Sequence, residues 1–126
     1  MPRKLLLLLA IALPSTGCLA AAAGGAAGGI YLTSRGAAGE VQGSVDQVAG
    51  RAETVMNDMG IVKKGESTSE DQRHVLKGTK GELDVTIDIR QESESTARVE
   101  VAARENVAQW DKDYAKEVLS RIVQQE

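Results

Sequence analysis

The pattern of apolar and polar positions is most regular between Leu83 and Arg90, where the two kinds of residue alternate strictly. A strand places successive side chains on opposite faces, so this alternation predicts a sheet with one dry face and one wet face. Two neighbouring segments, Glu70–Lys77 and Ala97–Ala103, repeat the alternation, the first of them more loosely. Polar connections at 78–81 and 92–95 separate the three segments. The pattern therefore predicts an antiparallel meander of three strands.

Two other segments carry apolar residues at spacings of three and four, which is the period of a helix packed on one side. The first begins after Ser44, which is expected to form a capping box with Gln47, and ends at Gly60, a residue suited to the left-handed turn that closes a helix. The second runs from about Asp111 to Gln125, with Asp111 as its N-cap. The two apolar stripes are Val45, Val48, Ala49, Ala52, Val55, Met56 and Met59 in the first helix, and Tyr114, Ala115, Val118, Leu119 and Ile122 in the second.

A further strand is predicted within Leu32–Gln42, where β-prone residues are interrupted by glycines. The order β-α-β-β-β-α, with one-faced strands and one-striped helices, predicts an α+β fold. We expect a two-layer sandwich, in which an antiparallel sheet of about four strands carries both helices on one face. Trp110 is expected to pack the start of the second helix against this sheet. Residues 31–126 would form this one small domain.

The N-terminal segment has the composition of a secretory signal. Arg3 and Lys4 are positive, and Leu5–Leu13 is an apolar run of nine residues. Pro14 ends any helix in this run, because it lacks an N–H and clashes with the preceding turn. Small residues follow, up to Cys18, which is the only cysteine of the chain. Residues 1–17 are therefore predicted to be a signal peptide.

The segment Ser15-Thr16-Gly17-Cys18 resembles the lipobox of bacterial lipoprotein precursors, although that family prefers Leu where this chain has Ser15. The resemblance implies cleavage between Gly17 and Cys18, a diacylglycerol on the Cys18 thiol and an acylated amine. Two acyl chains give stable anchoring, whereas a single chain holds a protein only marginally. The partner would be membrane lipid through the acylated Cys18, and residues 18–30, rich in Ala and Gly, would be a tether.

Three alternatives to lipidation stay open. The leader could be an ordinary signal peptide cut at another bond, with Cys18 a plain residue. It could be an uncleaved membrane helix, because no charged residue occurs from Leu5 to Ser34 and about 20 apolar residues span a bilayer. Pro14 and the weakly hydrophobic Ala20–Gly29 argue against such a helix. Last, the apolar N-terminus could be buried in a cytosolic protein.

Composition narrows the possible partners. The formal charge is −3 for the whole chain and becomes −5 once Arg3 and Lys4 leave with the signal peptide. An acidic domain is a poor candidate for binding nucleic acid, and a chain with no Phe and one Trp lacks stacking platforms for single strands. One cysteine cannot form an internal disulfide, so the domain depends on packing of Val, Ile, Leu, Met and Ala.

No constellation of residues predicts catalysis, a metal site or a bound cofactor. His74 is the only histidine and has no companion nucleophile or second ligand, so an exposed or edge-strand histidine is the favoured interpretation. Zinc needs three or four soft ligands, which one Cys and one His cannot supply. Asp84 and Asp88 belong to the wet face of the predicted strand, where charge is ordinary. Ser93 and Ser95 stand in a polar turn without a base.

Beyond the lipobox, the layout resembles a family of small bacterial envelope lipoproteins with no assigned activity. Four segments carry the resemblance: Tyr31–Gly36, the Val45–Gly60 helix, the Val85–Ile87 strand and the Tyr114–Ile122 helix. Such proteins carry Gly-Asp before the last helix, where this chain has Trp110-Asp111. The resemblance implies a lipid-anchored domain that faces the periplasm. In double-membrane bacteria, Leu19 rather than Asp after the cysteine is typical of an outer-membrane destination.

These observations predict a membrane-anchored envelope lipoprotein whose domain is a non-enzymatic binding or assembly module. Its wet sheet face or an open strand edge would meet an envelope protein. One alternative is a single-pass membrane protein with the same domain. Another is a small periplasmic ligand carrier or hydrolase, which would require a pocket between the sheet and the helices, lined by converging polar groups.

Overall fold

The structure is a computed structural model that describes residues 26–65, 67–106 and 108–125. Within these residues the chain forms seven strands and two helices. The strands are β1 Ala26–Leu32, β2 Gly36–Gln42, β3 Val62–Lys63, β4 Thr68–Glu70, β5 Arg73–Lys80, β6 Leu83–Gln91 and β7 Thr96–Arg104. The helices are α1 Val45–Asp58, between β2 and β3, and α2 Lys112–Gln124, after β7. The predicted signal peptide 1–17 and Cys18 lie outside the described residues.

The seven strands form one sheet, and each pair of neighbouring strands is antiparallel. The order is β1-β2-β7-β6-β5, and β3 and β4 both pair with the outer edge of β5. The α+β class and the meander, which consists of β5, β6 and β7, are confirmed. The expected sheet of four strands is wrong, because the sheet also includes β1, β3 and β4.

The three additional strands lack the alternation that identifies a strand in sequence. β3 has two residues and β4 has three, too few to show a period. β1 lies in Ala/Gly-rich sequence and pairs with β2 across a tight turn, in which Thr33 N–H donates to the Gly36 carbonyl over 2.9 Å. The strand predicted within Leu32–Gln42 is β2. The first five residues of β1 belong to the segment 18–30 that the sequence assigned to the tether.

Helix α1 forms where the sequence predicts it, because both of its ends have strong local signals. The Ser44 side chain accepts a hydrogen bond from Gln47 N–H over 3.2 Å, and the Gln47 side chain accepts one from Ser44 N–H over 3.0 Å. At the other end Gly60 has a φ of +75°. Ile61 N–H then bonds to the Met56 carbonyl over 2.8 Å, which is the backbone pattern of a Schellman motif. The predicted capping box and the predicted glycine closure are both confirmed.

Both helices bury their stripes against one face of the sheet. Helix α2 starts at its predicted N-cap, since the Asp111 carboxylate accepts a hydrogen bond from Tyr114 N–H over 2.9 Å. Gly36 lets α2 approach the sheet, because a Cβ at this position would lie 2.7 Å from the Cβ of Ala115. Gly78 does the same under the end of α1, where a Cβ would lie 2.7 Å from both Met56 and Ile61 side chains. One core results, made of these buried residues: Val41, Val45, Val48, Ala49, Ala52, Val55, Met56, Ile61, Leu76, Val85, Ile87, Ile89, Val99, Val101, Ala115, Val118, Leu119, Ile122 and Val123, with smaller alanines between them.

Candidate functional site

The open face of the sheet, meaning the face turned away from both helices, carries most of the charge on the strands. Successive side chains of a strand point to opposite faces, so the residues that alternate with the core residues along each strand lie on the open face. The central strands contribute these residues to the open face: Arg73, Val75, Lys77 and Thr79 from β5, Asp84, Thr86, Asp88 and Arg90 from β6, and Arg98, Glu100, Ala102 and Arg104 from β7. Asp84 and Asp88 therefore lie on the wet face, as the alternation predicts.

Three arginines lie side by side across the open face. Arg90 pairs directly with Arg73 on β5 and with Arg98 on β7. Like charges opposite each other on a sheet are destabilising, so this row needs compensation. Asp88 supplies it for two of them: Arg73 donates to both carboxylate oxygens over 3.2 and 3.0 Å, and Arg90 donates over 3.4 Å. Burial favours the neutral acid, but these hydrogen bonds outweigh it and lower the pKa of Asp88 below its ordinary value.

Arg98 has a separate set of partners at the β7 end of the row. Its guanidinium lies 3.6 Å from the Glu100 carboxylate and 5.6 Å from the centre of the Tyr31 ring on β1. It also donates a hydrogen bond to the Tyr31 hydroxyl. Desolvation opposes the charged form, yet the Tyr31 and Glu100 contacts raise the pKa of Arg98 above its ordinary value. The carboxylates of Asp88 and Glu100 are thus committed to the arginine row.

Trp110 joins the open face through a short hairpin after β7. Glu105 N–H donates to the Gln109 carbonyl over 2.9 Å, and Trp110 pairs with Arg104 in an antiparallel bridge. The chain is fixed again one residue later, where Asp111 N–H donates to the Ala103 carbonyl over 2.7 Å. Trp110 lies outside the helix-facing core, so the expectation that it packs α2 against the sheet is not met. Local sequence could not show this, because the hairpin and not the helix sets the direction of the side chain.

A cavity of about 510 Å³ lies beside Trp110 on the open face. We call it the Trp110 trough, and its main lining side chains are Lys64, Lys77, Thr86, Ala102, Arg104 and Trp110. Asp84 also lines it, with its carboxylate 3.6 Å from the Lys64 ammonium. The Arg104 guanidinium lies 5.8 Å from the centre of the Trp110 ring, and that of Arg35 lies 5.6 Å from it. Polar groups, an aromatic wall and positive charge therefore converge in the trough, which makes it the candidate binding site.

His74 lies on the other face of β5, opposite Ile89 and among the helix-facing residues. Both ring nitrogens are buried and have no hydrogen-bond partner among the described residues. The structure brings no carboxylate of the open face to His74, since Asp84 and Asp88 point away from it. Ser93 bonds to the Thr96 hydroxyl over 2.6 Å within its turn. In the described part of the chain, no three His, Cys, Asp or Glu side chains are grouped so as to hold a metal ion.

The predicted lipidation site, Gly17-Cys18, falls outside residues 26–65, 67–106 and 108–125. Among the described residues, neither helix is long and apolar enough to cross a membrane. Sequence reasoning did not identify Lys77, Arg104 or Trp110 as a group. Lys77 lies on β5 and Arg104 on β7, and only the strand register brings them to one cavity.

Comparison with protein-family models, with curated proteins and with solved structures finds no match for this chain.

Proposed function

We propose that this protein is an envelope lipoprotein, held by lipid on Cys18 and facing the periplasm, with the outer membrane as its destination. Its domain acts as a non-enzymatic binding module. The binding surface is the open face of the sheet, and the anchor keeps that surface close to the membrane. The sequence features behind the anchor are the positive Arg3-Lys4, the apolar run Leu5–Leu13 and the small residues before Cys18.

The observation that carries the binding role is that neither of the two amphipathic helices covers the open face of the sheet. Both helices pack on the opposite face, so among the described residues no helix shields the open-face side chains from solvent. The charges of this face are held in place by hydrogen-bonded partners, such as Asp88 between Arg73 and Arg90. A polar surface with preset geometry favours binding to a charged partner.

The packing of the interior supports a surface site over a ligand carried inside. The layer between sheet and helices is filled by apolar side chains, among them Met56, Leu76, Ile87, Leu119 and Ile122. A carrier or hydrolase with its pocket in this layer would need converging polar groups there. Among the described residues, the large exposed apolar side chains are Tyr31, Leu32 and Val62, on the outer strands β1 and β3. The centre of the open face therefore suits a charged partner better than an apolar one.

Metabolic labelling tests the anchor. Cells that express the full chain are grown with labelled palmitate, and the protein is isolated from separated inner and outer membranes. We expect label on the wild type and none on Cys18→Ala, with Ser15→Ala as a matched control that keeps the label. Full-length protein that stays in the membrane without label would instead support a single-pass membrane protein.

Site-specific photo-crosslinking tests the binding surface. A photo-reactive amino acid replaces Thr86 at the floor of the trough, and in the control it replaces Lys116, which is exposed on α2. We expect an adduct with an envelope component from position 86 in intact cells and none from position 116. Equal adducts from both positions, or none from position 86, would contradict a binding role for the open face.

A further inference from the structure

The Trp110 trough is positively charged although the chain as a whole is acidic. Lys64, Lys77 and Arg104 line it together with a single carboxylate, that of Asp84. The excess of two positive charges contrasts with the formal charge of −3 for the whole chain. Cations gathered in one cavity repel each other, and an anionic ligand would relieve that repulsion.

The neighbouring carboxylates leave this excess in place, because Asp84 offsets only Lys64 and Asp88 is paired outside the trough. Lys77 lies opposite Thr86, so its diagonal neighbours on β6 are Asp84 and Asp88. Asp88 holds Arg73 and Arg90, and the ion pair of Asp84 is with Lys64. Among the described residues, Lys77 has no ion pair, and the same is true of Arg104.

Trp110 fixes the position of the Arg104 guanidinium. Arg104 pairs in register with Asp84, yet its guanidinium lies over the indole of Trp110. A cation over an aromatic face keeps its charge while its N–H donors stay available to a ligand. Backbone hydrogen bonds hold the main chain on both sides of residue 110. The contact with the indole restricts the guanidinium before any ligand arrives, and a restricted side chain loses less entropy on binding.

We infer that the Trp110 trough binds a phosphate monoester with a compact, partly apolar organic group. This inference rests on the proposed role of the open face as the binding surface. The net charge of the trough matches a phosphomonoester, which carries about −1.5 to −2 at neutral pH. Lys77 and Arg104, the trough cations without an ion pair among the described residues, suit its terminal oxygens, and the planar fork of Arg104 suits bidentate contact with phosphate.

The size of the trough and the residues that line it are the reasons for proposing an organic group on the phosphate. Its volume of about 510 Å³ exceeds what a phosphate ion needs and lies in the usual range of small-molecule sites. Trp110 and Ala102 offer apolar surface beside the cations, and the Thr86 hydroxyl adds one donor and acceptor. The ester's phosphate would face Lys77 and Arg104, while its organic group would contact Ala102 and the edge of Trp110.

Calorimetric titration of the full chain in detergent micelles tests the inference with phenyl phosphate, inorganic phosphate and benzoate as probes. We expect phenyl phosphate to bind more tightly than the other two, because only it combines a dianion with an apolar group. Trp110 is the only tryptophan, so its fluorescence should change along the same binding curve. The affinity should fall with added salt, and below about pH 6, where the ester loses its second charge. Equal binding of benzoate, or of inorganic phosphate, would overturn the inference, as would the absence of heat.

Two variants of trough residues and one control variant test whether phenyl phosphate binds in the trough. Lys77→Gln and Arg104→Lys should each weaken phenyl phosphate binding about tenfold or more, since each removes a charge-assisted contact or the bidentate geometry. Lys116→Gln, an equal charge change on the exposed side of α2, should leave the affinity unchanged. A loss in Lys116→Gln equal to that in Lys77→Gln would show general charge attraction and overturn the inference.

The two proposals can fail separately. Lys77→Gln should still carry palmitate and still fractionate with the membrane, because the anchor is remote from the trough. If phenyl phosphate does not bind while a crosslinker at position 86 still gives an adduct, the open face is a binding surface and the phosphate ester is the wrong ligand.

Discussion

Replacing Asp88 with asparagine tests whether the arginine row depends on one carboxylate. Asp88 accepts three hydrogen bonds from Arg73 and Arg90 at 3.0 to 3.4 Å, and its side chain is only 21% exposed. Charge-assisted hydrogen bonds each contribute about 1.5–3 kcal/mol when buried. The two arginines are 42% and 54% exposed, which screens the pairs strongly. We therefore expect Asp88→Asn to lower the free energy of unfolding by about 1–2 kcal/mol.

Asp84→Asn is the matched control on the same strand. Its carboxylate is 51% exposed and makes a single contact of 3.6 Å with Lys64, which is 65% exposed. An exposed pair of this kind contributes about 0–1 kcal/mol, so the control should unfold close to the wild type. Urea denaturation of both variants, followed by circular dichroism, gives the two free energies under identical conditions.

The pH dependence of the same difference identifies the carboxylate as the cause. The pKa of Asp88 is lower in the folded protein than in the unfolded chain, so its ionised form stabilises the fold above the unfolded value of about 3.9. This contribution is lost as the pH falls through the folded pKa. The wild type and Asp88→Asn should therefore differ at pH 7 and converge in strong acid. A difference that persists unchanged in acid, or an equal loss in Asp84→Asn, would refute the reasoning.

Three further variants test the core and its polar groups by denaturation. Gly36→Ala should destabilise by about 2 kcal/mol or more, because the new methyl would overlap the Val101 carbonyl oxygen of β7 and lie 2.7 Å from the Cβ of Ala115 on α2; wild-type stability would contradict this packing. His74→Leu should stabilise by about 1–2 kcal/mol, because it removes two buried nitrogens without partners; Leu76→Ala, which should lose about 2–5 kcal/mol, is the control. Burial raises the pKa of Tyr114, whose hydroxyl has no partner among the described residues. The wild type should therefore lose stability as the pH rises above about 10, and Tyr114→Phe should remove that loss.

The sequence predicts well the elements whose own residues carry strong local signals, such as helix caps or a strict alternation. Helix α1 has a capping box at Ser44 and a glycine closure at Gly60, each formed by residues close in sequence. Strand β6 has the strict alternation of a sheet with one dry face. Such signals depend on a few neighbouring residues, so the elements keep their predicted limits within a residue or two.

The sequence does not predict the outer strands, because these segments become strands through pairing with a neighbouring strand and not through the propensity of their own residues. β3 and β4 exist through pairing with β5, whose outer edge would otherwise present unpaired N–H and C=O groups. β1 pairs with β2 although its Ala/Gly sequence has low strand propensity. In each case tertiary pairing outweighs local preference, which a reading along the chain cannot detect.

The candidate site is the part of the molecule that depends most on register. The alternation alone places Lys77, Thr86, Ala102 and Arg104 on the wet face, but it says nothing of which residues are neighbours across strands. A shift of β6 by two residues against β5 would keep every apolar side chain in the core and bring Asp88 opposite Lys77. The trough would then gain a second carboxylate, and its excess of two positive charges would fall to one. The positive charge of the trough is therefore a property of the strand pairing, and the arginine row that holds Asp88 in place also keeps that carboxylate away from Lys77.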